Sequence, residues 1–464
     1  MTGSEVKVTI NGKAVSCPSG ASLSALLRGH GFDSSPCGGH GRCGKCRVTA
    51  FGALSPLTEA EKRLLSPEEI AGGIRLACQV RTEGDCEISF AEGTKRDSRI
   101  LTDGILSSFR CRPLFGPEET GAAVDVGTTT LAARLYDAKG VLLAEASRLN
   151  PQAVFGADVV SRMEAARDGH REELRDLVRD AVDGMLRELS PTPPRAVVVT
   201  GNTVMLHLFT MTDTEPLTHA PFEAPRLFGE ILTAKELGLR TPPPEAPVLL
   251  PPAIASFVGA DTATAMLACG FTEADGEKTV LLTDIGTNGE IVLRRNRRLY
   301  ACSTAAGPAF EGAGISMGMG GAPGAVDHVS LSPEGLLQAH VIGDRAPAGI
   351  CGSGLVDAVA CLLENETLDE TGYLEDDPAV ILDPVSLTQS DIRAVQLAKS
   401  AIHSGIRTLL HPAETPIGEV SVFYVAGGFG SFLDAGNAGR IGLLPAELLP
   451  AVRVAGNAAL AGAA

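Results

Sequence analysis

Tryptophan is absent, aromatic residues make up 4% of the chain, and Lys and Arg (39) fall well short of Asp and Glu (56). The resulting net charge of −17 repels phosphate backbones and anionic headgroups, and no basic stripe with interleaved aromatics relieves it. A general binder of nucleic acid or anionic membrane is therefore not expected. No uninterrupted apolar run reaches the ~18 residues a membrane-spanning helix needs. The first 30 residues alternate polar and apolar without a long apolar core, so no signal peptide is expected either. The 11 cysteines show no disulfide framework: Cys269, Cys302, Cys351 and Cys361 sit in apolar contexts, and Cys17, Cys86 and Cys111 have no readable spacing. A reducing cytoplasm fits that usage best.

Glycine is plentiful (53) and proline frequent (29), which suits an α/β chain with many tight turns and nucleotide loops. One glycine-rich stretch is CGGHGRCGKC at 37–46, where Cys37, Cys43 and Cys46 stand at C-x5-C-x2-C. Thiolates bind iron and zinc tightly, and glycines let backbone N–H groups turn toward the sulfurs. Cys78, 32 residues beyond Cys46 at the opening of a short strand-like run, supplies a fourth ligand. The spacing is one residue longer in its first gap than the plant-type ferredoxin pattern, and a 2Fe-2S cluster is the expected occupant. A zinc site is the alternative, but it usually brings two C-x2-C knuckles, and one is present. His40 lies between two ligands, yet four cysteines already suffice. Around this loop the order is hairpin (Asn11-Gly12 turn), helix from Ser22, strand, helix and two further strands, an order similar to a β-grasp ferredoxin over residues 1–93. Residues 94–120 read as a linker, which either swings between redox partners or packs against one neighbour.

From 121 to 464 two loops repeat about 160 residues apart: Asp125-Val-Gly127-Thr128-Thr129, and Asp284-Ile-Gly286-Thr287-Asn288-Gly-Glu290. Each follows a buried apolar strand, offers N–H and hydroxyl donors to a phosphate, and ends its strand with an Asp able to hold hydrated Mg²⁺. A third strand ends in Gly427-Gly428-Phe429-Gly430, where missing side chains let an adenine or ribose approach. Together these motifs resemble the phosphate-1, phosphate-2 and adenosine motifs of the acetate/sugar kinase, heat-shock chaperone and actin superfamily. The resemblance implies two ribonuclease-H-like halves with ATP between them. It also implies that SFVGADTATAML is a connecting helix whose Asp261 positions the attacking water or is an outer-shell Mg²⁺ ligand. A plain helix cap is the alternative. ICGSGLVDAVACLL is similar to the second connecting helix, with Gly352 and Gly354 packing at the hinge. The glycine-rich segment 307–327 is too long for a turn, and stands either against a flat apolar macrocycle or as a switch loop without a ligand of its own.

A 2Fe-2S domain ahead of such an ATPase, with GNTVM, GADTATA, DIGTNGE, GPAFEGAGI and AGICGSGL, resembles the ATP-dependent reductive activators of corrinoid proteins. That resemblance implies one-electron return of cobalt(II) to cobalt(I) on a corrinoid protein of a methyltransferase system, from an unidentified electron donor, with a homodimer among the possible assemblies. ATP is needed because each ~59 mV of unfavourable potential costs tenfold in equilibrium for one electron. Ser316 is the expected contact with the corrinoid partner. Members often carry a middle domain where this chain has only the 94–120 connector. A dehydratase activator, a small-molecule kinase and a non-enzymatic redox sensor are the rival readings. The first holds its cluster inside the ATPase fold, and the second has no use for a cluster.

Overall fold

The computed structural model describes residues 5–28, 41, 44, 46–90, 104–105, 112, 115–272, 278–428 and 430–464. The chain divides into two compact units, residues 1–96 with 151–174, and residues 97–150 with 175–464.

In the first unit, β1 (Glu5–Ile10) and β2 (Lys13–Pro18) form a hairpin whose Asn11 and Gly12 take positive φ (44° and 82°), as a tight two-residue turn requires. α1 (Leu23–Arg28), β3 (Arg47–Leu54), α2 (Glu59–Leu64), α3 (Pro67–Ala71), β4 (Ile74–Leu76) and β5 (Thr82–Ser89) follow. The sheet order is β2-β1-β5-β3-β4, with β1 and β5 parallel, a β-grasp arrangement. Leu23 and Leu27 of α1 share its core with Val8, Leu76 and Ile88. Thr58 and Ser66 start α2 and α3 with reciprocal capping boxes. α4 (Val159–Ala165) is capped by Asp158.

The second unit holds two sheets of similar plan. The first comprises β6 (Thr120–Val126), β7 (Thr130–Asp137), β8 (Leu142–Leu149), β9 (Ala196–Gly201), β10 (Glu230–Thr233) and β11 (Pro247–Leu250), ordered β10-β11-β9-β6-β7-β8. α5 (Arg171–Leu189) and α6 (Thr203–Thr210) flank β9 in sequence, and α7 (Ala260–Ala268) follows β11. The second sheet comprises β12 (Thr279–Ile285), β13 (Gly289–Arg295) and β14 (Arg298–Thr304), joined later by β20 and β21. Between them come β15 (Ala325–Leu331), β16 (Leu337–Val341), β17 (Gly349–Ile350), α8 (Gly352–Glu364), β18 (Ala379–Leu382), β19 (Val385–Leu387) and α9 (Gln389–Leu410). The chain ends with β20 (Val420–Ala426), α10 (Ala435–Arg440), β21 (Val452–Gly456) and α11 (Ala458–Ala463). Order β14-β13-β12-β20-β21 repeats β8-β7-β6-β9-β11: an antiparallel three-strand meander with two parallel strands added, the ribonuclease-H-like plan, twice.

α7 and α11 lie side by side, so closely that a Cβ on Gly462 would stand 1.8 Å from the Thr264 carbonyl oxygen. Leu460 and Ala463 of α11 pack on Ala123 and Ala132 of the first sheet. Ala265, Met266 and Cys269 of α7, with Ala458 and Ala461 of α11, pack on Val280, Leu282, Val292 and Ala426 of the second. The second connecting helix is therefore α11. The helix beginning at Gly352, expected in that place, lies on β15 and α10 instead. Of the 94–120 linker, Gly104 and Ile105 pair with the end of β21, Ile105 N–H donating to Ala455 at 2.8 Å. Most of its remaining residues fall outside the described ones.

Candidate functional site

β6 and β12 occupy equivalent central positions in their sheets, and each ends at the same edge in an Asp followed by a donor-rich turn. Asp125, Gly127, Thr128 and Thr129 from the first sheet line one cleft with Asp284, Gly286, Thr287 and Asn288 from the second. Asn150 fixes the first turn, its backbone N–H on the Thr129 carbonyl (2.9 Å) and its side-chain amide on the Gly127 carbonyl (2.8 Å). The second turn closes through Gly286 N–H on the Asn288 carbonyl, 3.0 Å. Gly427, at the end of β20, has φ +96°, and a Cβ there would stand 2.7 Å from Asp284 Oδ1, so the backbone must be bare where the third strand meets the second loop. Gly428 joins it on the cleft wall. Gly430 opens a short 3-10 turn, and Phe429 lies outside the described residues.

Asp261 reaches the same cleft from the first turn of α7. It is not the cap, which is Gly259; its Oδ1 accepts the Thr262 N–H at 2.7 Å. Three groups that the spacing did not single out complete the cleft. Asn457, the N-cap of α11, donates to Asp125 Oδ2 at 3.2 Å. Glu290, opposite Asp284 in the β12–β13 ladder, is buried. Glu311 Oε2 accepts both the Thr129 hydroxyl (2.9 Å) and the Thr287 hydroxyl (2.5 Å). For Asn457 and Glu311 the signal was weak because their partners Asp125 and Thr129 lie 332 and 182 positions away, whereas Glu290 stands at the end of the second loop's own motif.

The cleft thus gathers Asp125, Asp261, Asp284, Glu290 and Glu311, with no Lys, Arg or His among its described lining residues. Burial, then the Asp261 charge, pushes Asp125 up to about 8. Burial, then Asp261 and Glu311, pushes Asp284 up to about 7. Asp261 rises to about 6, mainly through burial, and Glu290 rises well above the ordinary carboxylate value through burial and its acidic neighbours. Such a cleft demands cations. Among the described residues no three acidic, His or Cys side chains form a metal shell by themselves.

In the first unit the Cys46 and Cys78 sulfurs stand 3.3 Å apart. Two sulfurs on one tetrahedral metal with bonds of about 2.3 Å stand about 3.8 Å apart, so this pair is close enough for both thiolates to reach one metal after a small separation. Cys37 and Cys43 lie outside the described residues, as does His40. Cys78 follows β4 in a turn rather than opening a strand. Its approach is set by Glu61, which is fully buried, is paired with Arg75 at 2.8 Å and accepts the Leu76 N–H at 3.1 Å. Arg47 and Arg63 donate to the carbonyls of Gly44 and Gly41 in the cysteine loop, at 2.6 and 3.2 Å. The Gln79 amide donates to Cys78 Sγ at 3.5 Å. Ser316 is exposed and does not line the cleft; its hydroxyl donates to Asp391, in the first turn of α9, at 2.5 Å.

Family models match three consecutive stretches: the 2Fe-2S iron-sulfur cluster binding domain at residues 8–83, the RACo middle region at 120–274, and the C-terminal domain of RACo, the ASKHA domain, at 278–464. Over 425 residues, 81% of this chain and 69% of the other, the sequence is 34% identical to the corrinoid activation enzyme RamQ of Eubacterium limosum. The chain belongs to this family of corrinoid activators. A second relative, the [Co(II) methylated amine-specific corrinoid protein] reductase of Methanosarcina barkeri, is 25% identical over 374 residues, covering 74% of this chain and 68% of that one. The solved structure of a reductive activator for corrinoid, iron-sulfur protein superposes with a TM-score of 0.67 at 27% identity, covering 99% of this chain and 92% of that one. The middle region of the corrinoid activators is therefore present: it is the first ribonuclease-H-like half, not a module missing at 94–120. Among the described residues no helix is long and apolar enough to cross a membrane.

Proposed function

We propose that this chain is an ATP-hydrolysing reductive activator that returns the cobalt(II) of a corrinoid partner to cobalt(I), one electron per event, so that the partner can again accept a methyl group. The support is a conjunction: phosphate loops from both sheets line one cleft, in a chain that also brings the Cys46 and Cys78 sulfurs to 3.3 Å. When held by Cys37, Cys43, Cys46 and Cys78, a 2Fe-2S cluster supplies single-electron chemistry. Thr128, Thr129, Thr287 and Asn288 bind the phosphates, Asp125 and Asp284 would hold Mg²⁺, and Gly427, Gly428, Phe429 and Gly430 receive the adenosine. Asp261 orients the water that takes the terminal phosphoryl group. Ser316, exposed at the surface, contacts the partner. The arrangement belongs to a reducing compartment, the cytoplasm, and divides into a cluster domain (1–93), a connector (94–120) and the ATPase (121–464).

The test is anaerobic. Reduced, cluster-loaded protein mixed with a cobalt(II) corrinoid protein should produce the cobalt(I) absorbance only when Mg·ATP is added. Equal cobalt(I) without ATP, or a phosphorylated small molecule as the main product, would overturn the reading.

A further inference from the structure

Thr129 and Thr287 belong to different halves, and each supplies a hydroxyl donor from its phosphate loop. Both donate to one acceptor, Glu311 Oε2. A carboxylate that accepts from both loops at 2.9 and 2.5 Å occupies the place a phosphoryl oxygen would take, because either ligand offers the same anionic acceptor to the same pair of hydroxyls. Glu311 is well placed to hold that position and to leave it. Its neighbour Phe310 is 2% exposed and sits in the core of the second half, which anchors the backbone of the short 3-10 turn Pro308–Glu311. Glu311 itself is only partly buried, and its side chain opens onto the cleft. With no Lys, Arg or His among the described lining residues, a phosphate entering beside a retained Glu311 would meet repulsion that no lining side chain offsets.

We infer that Glu311 is the specificity-determining residue of the cleft: it stands in for a phosphate between the two loops, and it yields only to a ligand that offers anionic oxygens to both Thr129 and Thr287. This rests on the reading that the cleft takes ATP. It assigns part of segment 307–327 to the nucleotide site: Phe310, Glu311, Met319, Gly320 and Gly321 all line the cleft. It also means that Glu311 ties the two sides of the cleft together as an internal anion.

The experiment compares the cluster-loaded full chain with its Glu311→Gln variant, which keeps the shape and removes the charge. Mg·ATP should bind the variant about tenfold more tightly, the size of one charge-assisted hydrogen bond released from competition, while adenosine binds both equally. Thermal unfolding gives a second readout: the variant should melt lower than the parent without ligand and no lower with saturating Mg·ATP. A variant that loses affinity for ATP, changes alike for ATP and adenosine, or melts lower under both conditions would overturn the inference. If neither protein binds ATP, it is the reading of the cleft as a nucleotide site that fails.

Discussion

Asp125, Asp284 and Asp261 stand well above the ordinary aspartate value of 3.8, at about 8, 7 and 6, because burial penalises their charged forms, with neighbouring carboxylates adding to the rise of Asp125 and Asp284. A carboxyl whose folded-state pKa is raised keeps its proton in the folded chain after the unfolded chain has lost it. Its stabilising contribution is complete below about pH 4 and is lost as pH rises through the folded value. The ligand-free chain should therefore lose stability between about pH 4 and about pH 8, with the last part of the fall due to Asp125. Asp125→Asn should raise stability at pH 8 by about 1–3 kcal/mol and change little at pH 4, as followed by thermal unfolding in chelator. A parallel shift at both pH values would contradict that origin. Asp125 and Asp284 were legible in the sequence because each ends an apolar strand and is followed at once by glycine and hydroxyl residues. Asn457 and Glu311 were not, because Asn457 meets Asp125 across 332 positions and Glu311 meets Thr129 across 182. Glu61 was equally hidden: an acidic residue in an exposed-looking helix pattern turns out fully buried against Arg75.

At the scale of elements, α7 and α11 set the geometry of the cleft, since one carries Asp261 and the other begins at Asn457. Their contact depends on the bare backbone of Gly462 against the Thr264 carbonyl. Gly462→Ala gains helix propensity but forces the two backbones apart, and the net effect should be a loss of about 1–3 kcal/mol by urea titration, with the cluster absorbance unchanged. A neutral result would mean that the helices are not in backbone contact. The hairpin at Asn11-Gly12 and the apolar strands that end in the Asp125, Asp284 and Gly427 loops followed from pattern, and the repeat of two loops pointed to two similar halves. The second connecting helix did not. Gly352-Ser-Gly354 signals close helix packing, but glycine spacing says nothing about which strand is approached, and the true connector, Ala458–Ala463, is so short and alanine-rich that it carries no periodic face.

For the molecule as a whole, the proposed coupling joins two chemistries that single substitutions should separate. Cys78→Ser should abolish both the paramagnetic two-iron signal and cobalt(I) formation while Mg·ATP still binds. Asp284→Asn should keep the signal on reduction and lower ATP-dependent cobalt(I) formation on the order of a hundredfold or more. If Asp284→Asn left the rate intact, nucleotide would not drive the electron. The paired helices α7 and α11 carry one more consequence. Since both sheets lean on the same two helices, neither 120–272 nor 278–464 is a self-sufficient piece: each, made alone, would leave an oily wall open to water. Produced together as separate polypeptides, the two pieces should find one another and rebuild the pocket without a peptide link, behaving as a heterodimer that the natural gene happens to encode in one reading frame.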